Sequence, residues 1–366
     1  MIKVRLVFLF MFLIVLTVAA EESAKREGRR YRDIVDEKFS KGNFFVGGTM
    51  HARYFGTPSH TILNEEFNYI TPGNDFKQSY IHPMPGKWRW ELPDKWVAYG
   101  KKHNQVIRLH APISPQCSKW IKEDERTGAE MKPILIDYMT QLCKRYNKEK
   151  HIKWLDVVNE TVNARNGEWF GPRPGTSKWE NPWTKIGFDT DPLKTPLYIK
   201  MAFGVANKHA PNIKQIINQH GGMNRKTWEK IKATVFYLRK EGLRVDGIGW
   251  QAHLNVGWEK KKGELEYLGK LIDWCHQNKL EFHFTEFQVS IKKLRDAAKQ
   301  EKTFLAVMKM ALEKQKTGLV SVNFWHLRDN ECLKKDTHPN LWNEDYSVKP
   351  VYYSIQKILE SFEGLN

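Results

Sequence analysis

Residues 152–160 read IKWLDVVNE, an apolar, valine-rich run that closes on an amide and a carboxylate, and the fold follows from how that run is read. Ile152–Asn159 is too short for a stable helix and too uniformly apolar for a strand with one wet face, so it reads as a strand buried on both sides of a parallel sheet. Seven further runs of the same kind are present: Phe44–Thr49, Phe67–Thr71, Gln105–His110, Lys214–Asn218, Gly247–His253, Glu281–Phe287 and Leu319–Leu327. Longer segments lie between them, among them Pro133–Tyr146, Pro196–His209, Arg225–Glu241, Leu265–Gln277 and Lys302–Lys316, in which apolar residues recur at three- and four-residue spacing. Strands alternating with amphipathic helices predict βα units around a parallel sheet. Eight such units predict a (β/α)8 TIM barrel, one catalytic domain over residues 42–366.

The chain has 366 residues, 41% hydrophobic and 13% aromatic, enough apolar material for one such barrel, although length alone would also allow two smaller domains. No linker, repeat or low-complexity tract interrupts the series. Three stretches read as long loops: Gly56–Asn64, Gln78–Leu92 and the Gly-, Pro- and Trp-rich Asn163–Thr195.

The first twenty residues carry Lys3 and Arg5, an apolar stretch from Leu6 to Val18, and Ala19-Ala20 before Glu21. That is the layout of a cleaved secretory signal peptide, because the apolar run falls short of the roughly 20 residues of a spanning helix. A secreted or periplasmic protein is expected, with a polar, basic lead-in over residues 21–41 and no stable membrane insertion. Formal net charge is +17, and loss of the signal segment would remove only two of the basic residues. Such a balance favours anionic partners, uronate-bearing or sulfated polysaccharides among them, or else it only keeps the protein soluble; no nucleic-acid-binding module is recognisable. Cys117, Cys143, Cys275 and Cys332 are too widely spaced for a zinc ribbon, and their pairing is not readable from sequence.

In a barrel of this kind, reactive groups gather where strands end at the C-terminal face. The fourth run ends in Asn159 and Glu160, the sixth (GIGWQAHL) carries Gln251 and His253, the seventh (FHFTEF) carries Glu286, and the eighth (VNFWHL) carries Trp325 and His326. Retaining hydrolysis of a glycosidic bond needs two carboxyl groups about 5–5.5 Å apart, one protonated to assist the leaving oxygen and one ionised to attack the anomeric carbon. Glu160 and Glu286 are the candidate pair, with neighbours expected to drive their proton affinities apart. A lone glutamate at a strand end is more often a structural ion-pair partner; two, each preceded by a polar residue, make that reading weaker. His253 is positioned to hold Glu286, Gln251 and Asn159 to bind sugar hydroxyls, and Trp325 to stack on a pyranose face. No His, Asp or Cys cluster asks for a metal, and neither a G-x-S-x-G elbow nor a glycine-rich nucleotide loop occurs, so no cofactor is expected.

These residues resemble the family 10 glycoside hydrolases, best known as endo-1,4-β-xylanases. The likeness extends from about Phe45 to Leu359 and is carried by WLDVVNE, VDGIGWQAHL, HFTEFQVS, FNYITPGNDFK and NEDYSVKPVYYSI. The resemblance implies Glu160 as acid/base, Glu286 as nucleophile, His253 as its hydrogen-bond partner, and Asn159 and Gln251 as sugar contacts. It also implies that His110 lies beside the sugar at the cleavage point, that Asn74 and Lys77 bind the next sugar, and that Trp325 forms an aromatic wall. The chain departs from the family at Gly73, where a glutamate is usual, and at Gln78, where a tryptophan is usual. APISPQCSKW after His110 replaces a segment containing a Trp-His pair, leaving the equivalence of Gln116 open, and RDNECLKK lacks a second tryptophan. A monomer acting on xylan or a related β-glycan is therefore expected. The alternatives are a substituted or anionic β-glycan, or a carbohydrate-binding barrel without turnover.

Overall fold

The structure, a computed structural model, describes residues 26–122, 125–171, 180–332 and 336–363. The expected signal peptide, residues 1–20, lies outside the described residues.

The strands are β1 (Phe44–Thr49), β2 (Tyr69–Thr71), β3 (Val106–Leu109), β4 (Ile152–Asn159), β5 (Lys214–Gln219), β6 (Gly247–Trp250), β7 (His253–Asn255), β8 (Glu281–Ser290) and β9 (Val320–Phe324). Each pairs in parallel with its neighbour, β6 pairs with β8, and β9 pairs back onto β1 with Gly47 opposite Asn323. The sheet is thereby a closed eight-strand barrel, a single (β/α)8 domain, with β7 a short extension lying against the far end of β8. The run read as Gly247–His253 divides into β6 and β7 because Ala252 between them adopts φ 56°, outside the extended region.

Inward-facing side chains form layers. At the strand starts Phe45, Tyr69, Trp154 and Ile216 plug the barrel, with Phe45 and Tyr69 edge-on to Trp154 at 5.2 and 5.0 Å. Above them lies a polar layer. Arg108 donates to Asp156 (2.6 Å) and to the Thr285 carbonyl (2.7 Å), and Asn323 donates to Thr49 (2.7 Å) and to the same carbonyl (2.9 Å). Groups this deeply buried persist only because they satisfy one another. Outward-facing Val46, Leu109, Leu155 and Ile217 join Leu135, Trp228 and Phe304 of the helices in one continuous apolar core.

The segment expected as a loop over Gly56–Asn64 is mostly the helix Pro58–Glu66. Pro58 at its first turn fixes φ for helix entry, and Ser59, Ile62, Leu63 and Glu66, at helical spacing, are buried. The helix read from Pro133 begins instead at Gly128, because Thr127 and Glu130 form a reciprocal capping box. Helix Tyr31–Lys38 packs on the barrel through Tyr31, Ile34 and Val35, and Tyr31 stacks on Tyr352 of helix Pro350–Ser361 at 4.6 Å. In the long segment after β4, Trp183 is buried and donates to the Ser114 carbonyl at 3.2 Å, anchoring the 3-10 turn Pro182–Ile186 near the β3 end; residues 172–179 of that segment lie outside the described residues. All four cysteines are free thiols. No helix among the described residues is long and apolar enough to cross a membrane.

Candidate active site

A cavity of about 680 Å³ opens where the strands end, and Glu160, Gln251, His253, Glu286, Trp325, His110, Asn74 and Lys77 all line it. Asn159 does not. It lies behind the cavity wall, 1% exposed, accepting from Gln251 (3.3 Å) and Asn218 (2.9 Å) and donating to Ser114 (3.2 Å). Its amide in the free protein braces the wall rather than facing a ligand.

Strict alternation along a strand would not deliver this arrangement, and two local irregularities do. In β4 the register slips between Asp156 and Val158, so that Asp156 meets Arg108 in the polar layer while Asn159, three residues on, also turns inward. In β8 the register slips between Phe284 and Phe287, which lets the consecutive Thr285 and Glu286 both face the interior while the phenylalanines on either side pack outward. An extra residue of this kind re-aims a side chain at the cost of one ladder bond. The backbone also turns sharply at Glu160 (φ 53°) and His326 (φ 72°), left-handed conformations that non-glycine residues adopt only where surroundings enforce them.

One hydrogen-bond path joins the two carboxylates. Gln251 donates to Glu160 at 2.9 Å and to Asn159 at 3.3 Å; Asn218 donates to Asn159 at 2.9 Å and to Glu286 at 3.3 Å, and is itself fixed by Thr285 at 2.7 Å. Glu286 also meets His253 Nε2 at 3.1 Å and has His110 Nε2 at 3.8 Å, while the other ring nitrogen of His110 rests on Asp156 at 2.9 Å. Trp325 stands edge-on to His110 and His253, with ring centres 5.4 and 6.3 Å apart, on the cavity lining.

Burial works to keep a proton on Glu286, but His110, the His253 hydrogen bond and Arg108 outweigh it and hold the carboxyl below its ordinary range. Burial also pushes His110 well below its ordinary range. An ionised, oriented carboxylate results, as a nucleophile requires. Glu160 differs from expectation. Burial raises it, yet His220 (Nδ1 at 3.5 Å), Gln251 and Lys77 together bring it down to about 2. The expected split between a neutral and a charged glutamate is thus not seen: both carboxyls are held below their ordinary range, Glu160 chiefly by the His220 beside it.

Sequence reasoning missed Asn218, His220, Arg108, Asp156, His51 and Arg53. His220 follows the end of β5 and His51 follows β1, so the strand-end rule, applied to every strand rather than to four, would have found them. Arg108 and Asp156 were visible as opposite charges inside otherwise apolar runs.

Comparison with known proteins agrees with the geometry. A family model described as Glycosyl hydrolase family 10 matches residues 34–358. An endo-1,4-beta-xylanase A of Caldicellulosiruptor sp. (strain Rt8B.4) is 27% identical over 339 residues, covering 87% of this chain and 46% of that protein; the chain thus spans about half of that relative's length. The endo-1,4-beta-xylanase A of Caldicellulosiruptor saccharolyticus is 27% identical over 328 residues, covering 85% of this chain and 90% of that one. Among solved structures, xylanase 10B from Thermotoga petrophila RKU-1 in complex with xylobiose superposes with a TM-score of 0.75 at 22% identity, covering 92% of this chain and 98% of that chain, a likeness of fold.

Proposed function

Because the chain belongs to glycosyl hydrolase family 10, we propose that it is a retaining, endo-acting hydrolase of a β-1,4-linked polysaccharide of the xylan type, exported after loss of residues 1–20. The observation that carries this reading is the pair Glu160 and Glu286, delivered by different strands to one sugar-sized cleft and bridged by Gln251, Asn159 and Asn218. The names of the relatives and the xylobiose held by the structural neighbour support xylan as substrate.

In the first step a carboxylate oxygen of Glu286 attacks the anomeric carbon, the glycosidic C–O bond breaks, and Glu160 gives a proton to the departing oxygen. In the second, Glu160 takes a proton from water, the hydroxide displaces Glu286, and the sugar leaves with its original configuration. Reducing-end release from linear β-1,4-xylan, with the β-anomer appearing first by NMR, is the expected result. No release from any β-1,4-glycan sinks the reading, and an α-anomer appearing first sinks retention.

The position of His220 makes a pH prediction. Glu160 must carry a proton to act as acid, and His220 lowers its affinity for one. His220→Phe removes that hold, so Glu160 keeps its proton to higher pH, and the alkaline limb of kcat/KM moves upward by about one pH unit or more. Measured pH–rate profiles of the two proteins check this; a limb that stays in place, or moves down, contradicts it.

A further inference from the structure

One end of the cleft carries two cations, Arg53 and Lys77, and two imidazoles, His51 and His326. His51 and Arg53 follow β1, Asn74, Asp75 and Lys77 follow β2, Gln116 follows β3 and His326 follows β9, and all line the cavity. The Arg53 guanidinium lies beside the Tyr54 ring at 4.9 Å and, among the described residues, has no carboxylate within ion-pairing distance. Asp75, an acid on the same lining, accepts from the Trp96 indole at 2.7 Å. Lys77 is buried, 7% exposed, donates to Gln116 and is attracted by Glu286 and Glu160, which leaves Arg53 as the cation on this wall without a carboxylate facing it among the described residues.

Two imidazoles stand beside these cations. His51 lies over Gly73 so closely that a Cβ at that position would meet its Nδ1 at 2.4 Å. Glycine at 73 is therefore what gives His51 its place in the wall. The ring of His326, 3% exposed, is edge-on to His51 at 5.1 Å, with Nδ1 engaged by the Glu331 carbonyl, so its Nε2 is the nitrogen left to a ligand. Burial, Arg53 and Lys77 bring His51 down to about 4, and burial with His51, His253 and Arg53 also holds His326 well below its ordinary range.

We propose that this end of the cleft is a subsite for a sugar bearing an anionic group, a uronate carboxylate or a sulfate ester, with Arg53 as its counter-ion and His51 and His326 as hydrogen-bond partners. The proposal rests on the hydrolase reading for its location and adds to it the charge of the substrate. Arg53 is exposed at the rim of the cavity, and its guanidinium presents a planar fork that matches such an anion. The net charge of +17 adds a long-range attraction for acidic chains.

The test is calorimetric binding to the full chain of three ligands too short to be informative as substrates: xylobiose, its counterpart with a uronic acid in place of one xylose, and a sulfated xylobiose. At least one charged ligand is expected to bind about tenfold tighter than xylobiose at low salt, the tighter of the two naming the group. The preference is expected to shrink with added salt, to vanish in Arg53→Ala and to persist in part in Arg53→Lys. Equal affinity for charged and neutral ligands, or a preference that survives Arg53→Ala, overturns the subsite. Polysaccharide turnover measured in parallel separates the two claims: turnover without preference leaves the hydrolase and removes the subsite, whereas preference without turnover does the reverse.

Discussion

Glu286→Ala is expected to lower kcat by at least about 10⁴-fold on every substrate, and added azide is expected to restore part of the rate while yielding a glycosyl azide of inverted configuration. The argument is geometric. Glu286 is 4% exposed and held from two directions, by His253 at 3.1 Å and Asn218 at 3.3 Å. Truncation leaves a pocket on the face from which the anomeric carbon is attacked, large enough for a small anion and lined by donors that once held a carboxylate. Azide entering there makes the only displacement, since no ester remains to be hydrolysed, so one inversion replaces two. The fold is expected to survive, because Arg108 beneath the site keeps its own partner, Asp156; an unchanged circular dichroism spectrum checks that point. A near-wild-type rate, or an azide product of retained configuration, would take the nucleophile's role from Glu286.

The parts of this site that were legible in the sequence are those that obey a periodicity. β1 and β4 occupy the residues predicted for them, and helices such as Arg225–Lys240 end within a residue of expectation, because buried strands and amphipathic helices leave a hydrophobic signature over many positions. Glu160 and Glu286 were legible as polar residues closing apolar runs. What was not legible came from single-residue events. The slips in β4 and β8 insert one residue into a ladder without altering composition, and yet they decide that Asn159 and Glu286 face inward. The Pro58–Glu66 helix was hidden by its polar make-up: its inward positions include Ser59 and Glu66, which the hydrophobic pattern counts as surface. Glu66 is buried because Arg26, Tyr31 and Tyr352 converge on it from distant parts of the chain, a constraint that no local window contains.

The proton affinities belong to the same class. A strand-end position says that a carboxylate faces the cleft, and nothing in β4 says that His220, from the end of β5, will stand 3.5 Å away. The division of labour between two chemically identical side chains is thus set by residues on neighbouring strands. Glu286 is held below its ordinary range by His110, His253 and Arg108, whereas Glu160 is held down chiefly by His220, with Gln251 and Lys77 beside it.

Glu160→Ala tests that division, because its effect is expected to depend on the leaving group. Natural xylo-oligosaccharides, whose departing alkoxide needs a proton, are expected to lose about 10³- to 10⁴-fold in kcat/KM. Aryl xylosides with strongly acidic phenols need little protonation, so their first step is expected to stay within about tenfold of wild type. Water then attacks without a base, the second step becomes limiting, and a burst of phenol is expected with accumulation of the ester on Glu286, visible as a mass increase of the intact protein. Azide again accelerates turnover, but here the ester has already inverted the centre once. The product is therefore a glycosyl azide of retained configuration, opposite to that from Glu286→Ala. Since the two variants differ by which side of one sugar lost its carboxylate, opposite azide stereochemistry places Glu160 and Glu286 on opposite faces of the anomeric carbon. Equal losses on activated and natural substrates, or the same azide anomer from both variants, would show that the two groups do not divide the work in this way.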